Sequence, residues 1–158
     1  MKIRVGFGVD VHQLKEGLDL FVGGVKIPSE IGALGHSDAD ALIHAICDAI
    51  LGASSKRDIG FHFSDKDPKY KGIDSKILLK NVIDLIHTEG YKLSNVDCTV
   101  ILEKPKLNPH IPDMQKVLAE IMEVETDYVS IKATTHEKVD SFGKSEAIKA
   151  YAVCLLTK

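Results

Sequence analysis

Cysteine is scarce in this chain, and the three present, Cys47, Cys98 and Cys154, are odd in number and widely spaced. That excludes a disulfide framework and any Cys-pair metal motif, and their apolar neighbours mark them as reduced core thiols in a cytosol-like compartment. No apolar run approaches the length needed to span a bilayer. Met1–Val5 leads into a strand-like pattern rather than a signal peptide, so the expected location is cytoplasmic, with no membrane partner. Positive charge is not in excess: the net charge is −3, which offers no field for nucleic acid and confines phosphate recognition to local sites. Tryptophan is absent and aromatics are 6%, which adds little.

What is present suits a globular protein. Hydrophobic residues make up 44% and charged residues 27% of 158 positions, enough for a sizeable core in one domain over residues 1–158. Residues 3–12 and 18–27 read as two β runs joined by Lys15-Glu16-Gly17 in a hairpin, with a bulge at Gly23-Gly24. A first helix is expected after Ser37 as N-cap, with Asp40 completing a capping box, a buried stripe of Leu42, Ile43, Ile46, Ile50 and Leu51, and Gly52 at its end. Residues 53–73 have no clean period and read as a long loop. A helix over 74–89 should turn Ile77, Leu78, Val82, Leu85 and Ile86 inward, with Gly90 past its end. Residues 96–103 alternate as a strand. Pro105, Pro109 and Pro112 precede a third helix ending near Val124, and residues 129–133 and 147–156 read as strands. The order predicts an α+β fold: a two-layer domain with helices packed on one face of a mixed β-sheet.

Four segments carry chemistry. In a strand, residues two apart share a face, so Asp10 and His12 project together. His44, on the flank of the first helix with Asp40 and Asp48, is a third donor. Two imidazoles and a carboxylate suit Zn²⁺ with an open fourth position, the mark of a catalytic zinc. His44 reads equally as a hydrogen-bonded core histidine. His36 and Ser37, at the expected helix start, either bind an anion or form a cap with an exposed imidazole. Asp58-Ile59-Gly60 and Phe63-Ser64-Asp65-Lys66-Asp67 suit the hydroxyls of a polyol, or are solvated acidic turns. Glu103-Lys104-Pro105-Lys106 and the run from Ala133 to Lys138 suit phosphate, with Glu137 placed to hold a hard cation, or are a polar strand end.

The order of these segments is more specific than any one of them. Gly6-Phe7-Gly8-Val9-Asp10-Val11-His12, then Gly35-His36-Ser37-Asp38-Ala39-Asp40, Asp58-Ile59-Gly60, Phe63 to Asp67, Glu103 to Leu107 and Lys132 to Lys138 strongly resemble the 2-C-methyl-D-erythritol 2,4-cyclodiphosphate synthase family of the non-mevalonate isoprenoid route. The resemblance covers essentially the whole chain. It implies conversion of 4-diphosphocytidyl-2-C-methyl-D-erythritol 2-phosphate to the cyclic diphosphate with release of CMP. It also implies a homotrimer whose active sites lie at subunit interfaces. By position, Asp10, His12 and His44 would bind Zn²⁺ and Glu137 Mg²⁺ or Mn²⁺. His36 and Thr135 match transition-state stabilisers. Ser37, Asp58, Ile59, Gly60, Phe63, Ser64, Asp65, Lys66 and Asp67 match substrate loops. Leu102, Lys104, Pro105, Lys106, Leu107, Asn108 and Thr134 match cytidine and phosphate contacts. His136, Ser141 and Lys144 complete the expected substrate contacts.

The family pattern breaks at Val139–Lys144. Where many members have an aromatic and an Arg, this chain has Ser141 and Lys144, with Phe142 one place late, and Val9 stands where Phe is frequent. These positions line a central cavity in the family, so weak binding of isoprenoid diphosphates is expected there. Two rival functions remain at this level: a zinc phosphoester or nucleotide hydrolase, and a non-catalytic trimeric nucleotide-binding regulator.

Overall fold

The computed structural model describes residues 1–158. Strand β1 (Ile3–Glu16) is longer than its apolar alternation suggested, and its two faces have different fates. Arg4, Gly6, Gly8, Asp10, His12 and Leu14 face inward, while Ile3, Val5, Phe7, Val9 and Val11 are exposed. Strands β2 (Leu20–Val22), β3 (Val25–Ile27) and β4 (Ile31–Ala33) follow. The expected hairpin forms differently. β1 pairs antiparallel with β4, whereas β2 and β3 make a separate two-stranded ribbon. Gly23 and Gly24 are the tight turn of that ribbon rather than a bulge. Their φ values of 61° and 77° are those a two-residue hairpin turn needs.

Helix α1 (Ala41–Ala53) is capped by Asp40, not Ser37. The Asp40 carboxylate accepts from the N–H groups of Ile43, Gly23 and Gly24 at 3.0, 2.9 and 2.7 Å, tying the ribbon turn to the helix start. Ser37 instead accepts the Ala39 N–H. In place of a single apolar stripe, every α1 residue except Asp48 and Gly52 is buried. The expected loop over 53–73 contains a short helix α2 (Ile59–His62) and a 3-10 turn at Pro68–Tyr70. Helix α3 (Ser75–Thr88) ends at Gly90 with φ 77°, as expected, but its buried face is rotated: Leu79 and Ile83 are buried and Ile77 is exposed.

Strand β5 (Lys92–Ile101), helix α4 (Ile111–Met122), strand β6 (Val129–Thr134), the short helix α5 (Asp140–Gly143) and strand β7 (Ala147–Thr157) complete the chain. The five-stranded sheet runs β4-β1-β7-β5-β6, antiparallel except for the parallel β5–β6 pair. Across the β1–β7 pair, Asp10 is opposite Ala150 and His12 opposite Ile148. Helix α1 lies on β1 and β7, α4 on β6, and α3 packs on α1 and α4. The fold is therefore α+β with helices packed on a mixed sheet.

Small residues set the spacing. A Cβ on Gly6 would lie 1.8 Å from the Ala49 carbonyl oxygen, and one on Gly8 2.0 Å from that of Ala45. This close approach brings His44 beside the strand positions two and four residues beyond Gly8. Ile43, Ile46, Ile50, Leu79 and Ile83 are fully buried here, each worth roughly 1.5–3 kcal/mol over an exposed position. Cys47, Cys98 and Cys154 are buried and unpaired, and burial pushes the Cys98 and Cys154 thiols up to about 12. No helix is long and apolar enough to cross a membrane.

Candidate active site

Asp10, His12 and His44 converge. Asp10 Oδ2 is 2.8 Å from His12 Nε2 and 3.1 Å from His44 Nδ1, and the two ring nitrogens are 3.2 Å apart. The outer nitrogens are held by the protein: His12 Nδ1 lies 3.0 Å from the Leu34 carbonyl, and His44 Nε2 lies 2.9 Å from Ser75 Oγ and 3.2 Å from Ser37 Oγ. A carbonyl only accepts, so His12 Nδ1 is an N–H, and Nε2, which faces Asp10, is the nitrogen left for a cation. Gly35 gives the ring room, since a Cβ there would come within 3.0 Å of His12 Cε1.

Electrostatics favour a cation among these atoms. Burial pushes the Asp10 carboxyl up, but hydrogen bonds and charge from His12 and His44 prevail and hold it at about 2. Burial pulls the His12 imidazolium down, and the Asp10 carboxylate outweighs it, leaving the value above 6.5. A tetrahedral ion with bonds of about 2.0–2.2 Å wants ligand atoms roughly 3.3 Å apart, so these donors need to spread by only a few tenths of an ångström. The donor set and spacing fit a metal.

The expected substrate residues sort into separate places. His36, Ser37, Ile59, Gly60, Phe63 and Asp65 line a cleft of about 260 Å³ that reaches His44. Tyr70 also lines it, edge-on to Phe63 at 5.5 Å between centroids, and nothing in the sequence singled it out. Asp58 caps α2 through the Phe61 N–H, and Asp48 Oδ1 accepts the Ile59 N–H at 2.8 Å, fastening α2 to the helix that carries His44. Burial raises the Asp48 carboxyl, against that hydrogen bond. Ser64 and Asp67 hold the next turn through the Lys66 and Lys69 N–H groups, with Lys66 exposed. The idea of His36-Ser37 at a helix N-terminus fails, because the buried Asp40 already occupies that end of α1.

Leu102, Lys106, Leu107, Asn108, Thr134 and Thr135 line a second, smaller pocket of about 90 Å³ between the β5 and β6 ends, with Lys104 exposed and Pro105 half-buried beside them. Its lining shares no residue with the first cleft. Glu137 stands outside the Asp10 triad, on the turn after β6, accepting from Thr135 Oγ1 at 3.2 Å. His136 Nδ1 is 2.8 Å from Asp140 and its ring meets Phe142 edge-on at 5.3 Å. Phe142 also lies under Lys149 Nζ, 4.5 Å from the ring centroid, while Ser141 and Lys144 are exposed.

Known proteins are similar to this chain along nearly its whole length. The YgbB family profile matches residues 3–157. A 2-C-methyl-D-erythritol 2,4-cyclodiphosphate synthase of Porphyromonas gingivalis is 60% identical over 153 residues, 97% of this chain and 94% of its own. The synthase of Bacteroides fragilis is 58% identical over 158 residues, 100% of this chain and 99% of its own. A solved structure of such a synthase in a CDP-bound form gives a TM-score of 0.90 at 37% identity, covering 98% of this chain and 100% of that one. Full-length agreement at this identity, on a fold that presents Asp10, His12 and His44 as one metal-type triad, places the chain in the YgbB family, that of the 2-C-methyl-D-erythritol 2,4-cyclodiphosphate synthases.

Proposed function

We propose that this chain closes 4-diphosphocytidyl-2-C-methyl-D-erythritol 2-phosphate into the cyclic diphosphate and releases CMP. The observation that carries this reading is the convergence of Asp10, His12 and His44 in a chain 60% identical to a named synthase. An oxygen of the substrate's own 2-phosphate attacks the β-phosphorus, and the bond from that phosphorus to the bridging oxygen of CMP breaks. The nucleophile is already anionic, so the residues need not supply a strong base. Their task is to bring negative groups together and hold them in line.

Asp10, His12 and His44 would hold Zn²⁺, and Glu137 with the diphosphate would hold Mg²⁺ or Mn²⁺. When bound, these cations supply positive charge against phosphate oxygens. His36 and Ser37 offer donors to the phosphates, and Asp58 and Gly60 stand at the methylerythritol. Leu102 to Asn108 with Thr134 take the cytidine end, and Thr135 stabilises the charge that builds at phosphorus.

The two pockets are halves of one active site, supplied by neighbouring subunits of a homotrimer. A homotrimer is supported by the uncovered sheet face, where Val5 is 68% and Phe7 61% exposed beside Ile3, Val9, Val11 and Val153. Apolar area of this kind marks an interface. Sedimentation should give three times the 17.3 kDa chain mass. The expected compartment is the cytoplasm. Incubating the chain with Zn²⁺, Mg²⁺ and substrate in ¹⁸O-water, with phosphorus NMR, tests the reaction. Cyclic diphosphate and CMP in equal amounts without ¹⁸O are expected. A linear phosphate carrying ¹⁸O would instead establish the hydrolase.

A further inference from the structure

Proton counting behind His44 leaves one arrangement. The Asp38 carboxylate only accepts hydrogen bonds. Its Oδ2 accepts the Ser75 N–H at 3.0 Å, and its Oδ1 contacts Ser75 Oγ. The single Ser75 hydroxyl proton therefore goes to Asp38, and Ser75 turns a lone pair toward His44 Nε2, 2.9 Å away. His44 Nε2 must then carry the ring proton. Its Nδ1, which faces Asp10 Oδ2 and His12 Nε2, is the nitrogen whose lone pair a cation takes when it displaces the hydrogen bond to Asp10.

Asp38 is itself fixed. Its N–H donates to the Ile73 carbonyl at 3.1 Å, and its Oδ1 also accepts the Asp40 N–H at 3.2 Å. Ser75 is fully buried at the start of α3. The other hydroxyl near His44 Nε2, that of Ser37, is only half-buried and lines the substrate cleft, so it is free to turn to a ligand. Ser75 has no such freedom.

We propose that Ser75 and Asp38 are positioning residues that act through His44, fixing its imidazole as the Nε2–H tautomer and aiming Nδ1 into the metal site. This rests on the reading of Asp10, His12 and His44 as metal ligands. Asp38 sets the Ser75 hydroxyl, Ser75 sets the ring, and the start of α3 is thereby coupled to a ligand on α1. Partners of this kind typically change metal affinity by about 10–100-fold when removed.

The test uses the full chain, with zinc affinity from chelator competition and His44 ring ¹⁵N resonances from NMR. Ser75→Ala should bind zinc about 10–100-fold more weakly. Ser75→Thr, which restores a hydroxyl, should recover most of that loss. Asp38→Asn places an amide N–H group toward Ser75, frees the hydroxyl proton for His44, and should strip the proton from Nε2, leaving the metal-free ring in the Nδ1–H form that the Asp10 carboxylate accepts. A merely structural role would not produce that tautomer change. Unchanged zinc affinity and tautomer in the folded Ser75→Ala and Asp38→Asn variants overturn the proposal. Two failures are distinguishable in the unmutated chain. If zinc leaves its His44 resonances unmoved, the metal reading falls and the proposal with it. If His44 responds to zinc yet the variants bind as tightly, only the positioning role falls.

Discussion

Gly8 faces Ala45 so closely that a methyl group on the glycine would meet the Ala45 carbonyl oxygen at 2.0 Å. Two residues beyond Gly8 is Asp10, and one before Ala45 is His44, so this contact sets the spacing of the metal ligands. Gly8→Ala must force strand and helix apart and should cost about 3 kcal/mol, the upper end of the overpacking range, with weaker zinc binding. Gly52 is the control. A Cβ there meets nothing within 4 Å, so Gly52→Ala should stabilise the helix by about 0.5–1 kcal/mol. Urea denaturation of both variants checks the pair, and equal effects would contradict it.

His12→Ala or His44→Ala should remove most bound zinc and most activity while leaving the fold intact. Two remaining ligands hold the ion poorly. Elemental analysis reads this directly, and full occupancy in either variant would place the residue outside the metal shell.

Asp40→Ala should be among the most destabilising single changes. It strips three N–H groups, those of Gly23, Gly24 and Ile43, of their shared acceptor in a buried place. About 3–5 kcal/mol is expected, against about 1 kcal/mol for an ordinary exposed cap. A loss below 1 kcal/mol in denaturant unfolding would show that water replaces the carboxylate.

Zinc binding should be proton-linked. In the metal-free protein, Asp10 sits at about 2, so its contribution to stability is present above the unfolded value of 3.8 and lost as pH falls toward 2. His12 is raised above 6.5, so its contribution is present below 6.5 and lost as pH climbs through the higher folded value. Zinc needs neutral imidazole, so binding displaces the His12 proton below that folded value, and affinity should fall about tenfold per pH unit there. Calorimetry in buffers of different ionisation enthalpy should detect the released proton. Affinity independent of pH between about 5 and 8 would contradict this coupling.

Glu137→Gln keeps the shape of the side chain and removes its charge. Zinc content should be unchanged and the magnesium concentration for half-maximal activity should rise. An unaltered magnesium dependence would put the second cation elsewhere.

The parts of the site legible in the sequence were those set by local periodicity. Strand alternation put Asp10 and His12 on one face, and the helix carrying His44 was evident from its apolar content. What escaped was set by distant partners. Ser37, Asp38 and Asp40 are all good cap residues, and only the Gly23 and Gly24 N–H groups, far back in the chain, select Asp40. Ser75 reads as an ordinary helix start until Asp38 and His44 are seen on either side of it. Ile77 looked inward-facing because its period fits, but α3 packs on α1 and α4 together, which turns Leu79 and Ile83 inward instead. The partner of β1 is β4 rather than the next run in sequence, because the β2–β3 ribbon intervenes between them.

The central claim is that the Asp10 triad and the Lys106–Thr134 pocket form one active site across a subunit boundary, and subunit mixing tests it most directly. Chains carrying Asp10→Ala and chains carrying Lys106→Glu, each inactive alone, are combined under conditions of verified exchange. Random hybrid trimers should regain about one quarter of the unmutated activity, because one interface in four joins an intact triad to an intact pocket. No recovery after full exchange would contradict a shared site and confine the chemistry to a single chain.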